Sequence, residues 1–202
     1  MGHLAKKILP LVIFFWATLF PAFASQPDPK ETVEQLLAAI KQIQKAGRAS
    51  PEIRNRNQKY SGEALTKLDI RMISEQSLGK YWPQRSEMER KQFVDLLSEL
   101  FVYVAFPNSG HFFGDLMIRY GKVQREANQA LVPVTVVHPD EGEIGIDFHL
   151  LDHGAGWKVV DVDLDQVSMR NNLRTQFYKV LSKEGYPDLI RRMTEKLDKA
   201  RG

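Results

Sequence analysis

Val33, Leu36, Leu37, Ile40 and Ile43 fall three and four positions apart, the spacing of one helical face. Asp28 stands before this run as an N-cap, Pro29 takes the first helical position, and Glu31 falls three after the cap. Gly47 is the expected stop. Ser50-Pro51 restarts a shorter, polar helix with Arg54, Arg56 and Lys59 toward water, and residues 68–78 predict another short helix ending at Gly79. Ser86 with Glu89 forms a capping box ahead of the strongest helical pattern in the chain. Its apolar stripe is Phe93, Leu96, Leu97, Leu100, Phe101 and Val104, and Pro107 with the Asn108-Ser109-Gly110 turn is expected to end it.

From Leu116 the period changes to two. Residues 116–126, 129–138, 143–152 and 156–164 each predict a strand, divided by turns of hairpin length. Ile144, Ile146, Phe148 and Leu150 share one face of the third strand, opposite Gly145, Asp147 and His149. Two helices close the chain, one carrying Leu173, Phe177, Val180 and Leu181, the other Leu189, Ile190, Met193 and Leu197. The expectation is an α+β fold: a four-stranded antiparallel sheet packed against several helices, enclosing an apolar pocket. No repeat or long linker divides it, so residues 25–202 are read as one domain.

Charge alters the reading at the N-terminus. The chain has 202 residues and a net charge of +3, but Lys6 and Lys7 account for two of its 28 cations and no acid accompanies them before residue 25. The near-neutral remainder argues against a nucleic-acid binder, which needs a dense cationic footprint. Residues 1–7 form a basic segment, residues 8–20 an apolar run, and Ala22-Phe23-Ala24 the small-x-small pattern of a cleavage site, so residues 1–24 are read as a signal peptide with Ser25 the mature start. A retained anchor is the alternative. About 13 apolar residues reach only about 20 Å, against a hydrocarbon core of about 30 Å. The chain has no cysteine, which removes lipoprotein attachment and any disulfide framework.

Candidate chemistry is sparse. Asp161, Asp163 and Asp165 alternate like calcium ligands, but Gln166 stands where the EF-hand loop needs glycine and Asn172 where it needs glutamate. Acids at period two read instead as a solvated sheet face. His149 and His153 lie on a strand that breaks into a turn, and His111 and His138 are expected in separate loops, so no zinc set forms. There is no Gly-x-Ser-x-Gly elbow, and Gly154-Ala155-Gly156 joins two strands as a hairpin turn rather than opening a nucleotide-binding helix. No His–Asp pair stands out, although a cone-shaped α+β enzyme acting through scattered carboxylates stays open. The remaining signal is apolar surplus on facing elements. The candidate lining is Phe93, Leu97, Leu100, Phe101 and Val104 from the long helix, Leu116 and Ile118 from the first strand, Ile146, Phe148 and Leu150 from the third, and Phe177 from the first closing helix. A dense core built from the same residues, in a scaffold or regulatory subunit, is the competing reading. Near the end, Arg191, Arg192 and Lys196 form a candidate docking patch, which competes with a simple complement to the helix dipole.

Several segments together resemble the MlaC-type periplasmic lipid-binding family, also called toluene-tolerance auxiliary components of ABC transporters. Leu68-Asp69-Ile70 with Ile73, and Leu78-Gly79-Lys80-Tyr81-Trp82, resemble its Phe-Asp and Leu-Gly-x-x-Trp segment. Arg90 and Phe93 match an Arg-x-x-Phe helix, Trp157-Lys158-Val159 with Asp161, Val167 and Ser168 the exit from the last strand, and Asn172, Arg174, Gln176 and Phe177 an Asn-x-Arg-x-Gln-Phe helix. Leu189, Ile190 and Lys196 also fit. Gln166 departs from the family's usual glycine and Leu173 from its frequent tyrosine. The resemblance implies a non-enzymatic periplasmic carrier of phospholipid with no cofactor. Its implied partners are an outer-membrane lipoprotein–porin complex and an inner-membrane ABC transporter bearing an MCE-domain subunit. The hopanoid-associated branch of the family is a near alternative.

Overall fold

A computed structural model of the chain describes residues 28–45, 50–114, 116–139 and 142–201. The expected signal peptide and the Gly47 stop lie outside them. Helix α1 (Pro29–Lys41) starts where expected, with Lys30 N donating to the Asp28 carboxylate at 2.9 Å. Its apolar face is buried against α2 (Pro51–Leu65) and the sheet. The second helix has 15 residues, so it is longer than α1 rather than shorter. Only Ser61 and Ala64 of α2 are buried, which is why its apolar signal is weak.

Helix α3 (Ile70–Leu78) begins two residues later than expected. Residues 67–69 are used elsewhere: Val159 N donates to Lys67 O at 2.8 Å and Asp69 N to Val159 O at 2.9 Å, a short parallel pairing on a sheet edge. The expected capping box opens α4 (Glu87–Leu100), with Glu89 N donating to Ser86 Oγ and Ser86 N to the Glu89 carboxylate. That backbone hydrogen bond, above all, holds the Glu89 carboxyl below its ordinary range.

The long helix does not stop at Pro107. It continues through a π-helical turn, Phe101–Ala105, into α5 (Phe106–Phe113). A proline inside an α-helix removes one hydrogen bond and crowds the carbonyl four residues back, and the wider turn ahead of Pro107 absorbs both effects. Asn108, Ser109 and Gly110 are therefore helical, not a turn. Gly110 serves closeness: a Cβ there would sit 2.7 Å from the Ile40 carbonyl oxygen, so α5 lies directly on the end of α1.

The sheet contains β1 (Met117–Tyr120), β2 (Gln124–Glu126), β3 (Gln129–His138), β4 (Gly142–Asp152), β5 (Trp157–Leu164) and β6 (Val167–Ser168). The order is β1-β3-β4-β5-β6, with β2 also on β3, and every pairing is antiparallel. Six strands replace the expected four because the first one breaks at residues 121–123 and a two-residue β6 follows β5. Val132 and Phe148, then Val134 and Ile146, stand opposite each other on the core face. A bulge at Val160 shifts the β4–β5 register between His149 and Leu150. Helix α1 packs on β3 and β5, α3 and α6 (Met169–Leu181) pack on β5, and α4 packs on α3 and α7 (Tyr186–Arg201). Tyr186 is buried where α7 meets α4, its hydroxyl donating to Glu89 O at 2.7 Å; burial pushes the phenol up to about 12.

Candidate functional site

The α4 stripe divides along its length. Phe93 is fully buried and meets the edge of Phe177 at 5.5 Å between ring centroids, a filled part of the core. Beyond it, Leu97, Leu100, Phe101 and Val104 floor a groove of about 510 Å³ between α6 and α7. Leu173, Phe177 and Val180 form one wall and Leu189 and Met193 the other, while Lys179, Lys183, Glu184, Arg192 and Lys196 stand around it. The π-helical turn places Phe101, Val104 and Ala105 on this floor. Such turns inside α-helices occur often at functional sites.

A smaller cavity of about 50 Å³, with an apolar lining of Leu68, Ile73, Val159 and Val162, lies between α3, α6 and β5. Phe101, Met169 and Leu173 border both spaces. Three side chains thus separate the groove from a pocket against the sheet. Leu173 is one of the two departures from the resembled family, and a tyrosine there would crowd this partition.

Of the eleven lining candidates, the groove gathers Leu97, Leu100, Phe101, Val104 and Phe177. Ile146, Phe148 and Leu150 are buried in the core between sheet and helices and do not reach it. Leu116 and Ile118 pack partly buried at the β1 side of the core, away from α6 and α7. The walls from Leu173, Val180, Leu189 and Met193 carry a helical-face pattern in the sequence; what the pattern lacks is any sign that α6 and α7 leave space between them.

The candidate docking residues also separate. Arg192 and Lys196 line the groove, whereas Arg191 is held between Asp188 and Glu195, each at 2.8 Å. Those carboxylates, Asp188 first, raise the Arg191 guanidinium above its ordinary pKa. Arg192 pairs with Glu184 at 2.6 Å and Arg201 with Glu99 at 2.6 Å.

On the other face of the sheet lies a polar cleft of about 610 Å³ with His149, Asp161, Asp163, Ser168 and Arg170 among its lining. The aspartates there are not simply solvated. Asp161 is 6% exposed and accepts from Arg170 N at 3.0 Å, Ser168 Oγ at 2.6 Å and Val162 N at 2.9 Å, which fastens the start of α6 to β5. His149 Nε2 lies 3.0 Å from the Asp163 carboxylate and His153 Nε2 3.0 Å from that of Asp69, pairings that no sequence spacing marked. His111 lies in the last turn of α5 and His138 ends β3, so neither is a loop residue. Among the described residues no group of three acids or histidines is placed to hold a metal ion.

The motif residues behind the family resemblance are joints of the fold. Gly79 has φ +47°, and a Cβ on it would collide with the Tyr178 hydroxyl, which accepts from Lys80 N at 3.0 Å. Arg90 stacks over the buried Trp82 and donates to its carbonyl at 3.3 Å. Arg174 Nε donates to Gln76 O at 2.9 Å, tying α6 to α3.

The family model described as MlaC protein matches residues 30–195. Among solved structures the chain is similar to the phospholipid-binding protein from Ralstonia solanacearum, solved in complex with a phospholipid. The two share 19% identity at a TM-score of 0.69, over 86% of this chain and 96% of that one, which establishes the common fold. No curated protein matches the chain.

Proposed function

The chain belongs to the MlaC family, and on that premise we propose that it is an exported phospholipid carrier whose acyl-chain site is the groove between α6 and α7. The family consists of periplasmic, non-enzymatic lipid carriers. The observation that carries the assignment of the site is the apolar floor of Leu97, Leu100, Phe101 and Val104, left open between two helices. Moving a chain of about 16 methylenes into water costs roughly 13 kcal/mol, so a carrier needs a lining of this kind and no catalytic group. A methylene takes roughly the 30 Å³ of a liquid water molecule. The groove thus holds about one such chain as it stands. The cavity on β5, about 50 Å³ behind Phe101, Met169 and Leu173, would add room for only about one or two further methylenes.

In this reading residues 1–24 direct export and are removed. The carrier then exchanges lipid with an outer-membrane lipoprotein–porin complex and an inner-membrane ABC transporter bearing an MCE-domain subunit. Likeness to a protein solved with phospholipid supports phospholipid as the cargo. Native mass spectrometry of the exported protein, purified without added lipid, tests cargo and processing together. The expected species begins at Ser25 and carries an adduct of phospholipid mass. An adduct of hopanoid mass would change the cargo, a lipid-free protein would remove the carrier reading, and retention of Met1 or Gly2 would remove the signal peptide.

A further inference from the structure

We propose that Lys179, Lys183 and Lys196 form a site for the phosphate of a lipid headgroup at the rim of this groove. The proposal rests on the carrier reading and adds to it where the head lies and what holds it. Lys179 and Lys183 are one turn apart, on α6 and just past its end, and Lys196 stands on α7 across the groove. None of the three ammonium groups makes a hydrogen bond or ion pair among the described residues.

Their neighbours are treated differently. Arg191 is held by two carboxylates and Arg192 by Glu184, which is the one acid on the groove wall among the described residues. With Arg192 and Glu184 neutralising each other, the three lysines leave the rim with an uncompensated positive charge. Like charges brought together on neighbouring helices repel, and an apolar floor beneath them offers no counter-dipole. An anion between the helices relieves that repulsion.

The floor specifies which anion. Free phosphate would leave the apolar groove in contact with water, and a plain hydrocarbon would leave the lysines uncompensated. An amphiphile satisfies both, with its phosphate at the rim and its chains directed toward Phe101 and Leu173. The lysines are exposed, so the head remains within reach of a receiving partner.

The test compares two soluble probes with the same tails: dihexanoyl-phosphatidylglycerol, and dihexanoylglycerol, which lacks the phosphate. At low salt the wild-type protein is expected to bind the phosphate lipid about tenfold more tightly, the combined effect of three modest rim contacts. Added sodium chloride is expected to shrink the difference. The K179Q/K183Q/K196Q variant should lose the preference and keep both its affinity for dihexanoylglycerol and its circular dichroism spectrum. Equal wild-type affinity for the two probes overturns the rim site and leaves the carrier reading standing. Failure of the wild type to bind either probe overturns both. Inorganic phosphate alone raising the melting temperature as much as the phosphate lipid overturns the proposal in favour of a free-anion site.

Discussion

At the tip of the β5–β6 hairpin, Asp165 has φ +46° and Gln166 φ +67°, both in the left-handed region. A residue with a Cβ is disfavoured there, which gives a physical reason for the glycine that resembled sequences carry at position 166. Gln166→Gly is expected to stabilise the fold by about 0.5–1 kcal/mol, the relief of left-handed strain less the entropy an added glycine releases in the unfolded chain. Urea unfolding should show a higher midpoint at unchanged slope, and a lower midpoint would show that the turn carries no strain. Residues differ in how far sequence alone reveals their setting. Ser86 and Glu89 announce their mutual bonds because both partners lie within one turn. Asp161 does not, because its donors Ser168 and Arg170 arrive only after the chain has reversed at that hairpin. Alternation correctly puts Asp161 on the face away from the core, and only the fold shows that the start of α6 covers it.

At the scale of elements, periodicity identified the helices and strands wherever one face is buried throughout. It failed at the join between α4 and α5, where Pro107 and Gly110 look like a stop and are instead a tolerated proline and a contact glycine. It also does not separate apolar positions that serve two purposes. Phe148 and Val180 are both apolar positions on amphipathic elements, but Phe148 is 3% exposed inside the core while Val180 borders the groove. A carboxylate at either place must be desolvated or hydrated from outside, and only the groove admits water. Val180→Asp should leave the melting curve within a few degrees of wild type and abolish lipid retention. Phe148→Asp should destabilise by at least the roughly 3–5 kcal/mol typical of losing a core phenylalanine, and unfold the protein. A folded Phe148→Asp protein without lipid would move the lining onto the sheet.

For the whole molecule, the sequence of helices, strands and helices was legible, as was an antiparallel sheet. That the larger apolar space lies between α6 and α7 was not, since this depends on how the two helices diverge over α4. The basic C-terminal segment was visible too, but its state was not: partners for Arg192 and Arg201 come from Glu184 and from Glu99 on α4. The parallel pairing of residues 67–69 with Val159 has a further consequence, for the order of folding. Lys158 Nζ donates to Thr66 O, 92 residues away in sequence, and α1 packs on β3 and β5 as well as on α2 and α5. At about 5–20 residues per second the ribosome needs several seconds to add that stretch. Until it appears, α1 can pack only on α2 and α5 and lacks the sheet that completes its burial. Contacts this distant slow folding, and slowness would suit the proposed export, in which the polypeptide crosses a membrane as an open strand and acquires its shape on the far side. Pulse-labelled hydrogen exchange during refolding should therefore show α1 amides gaining protection in the same phase as those of β3 and β5. Earlier protection of α1 would mean that the helical half folds without waiting for the sheet.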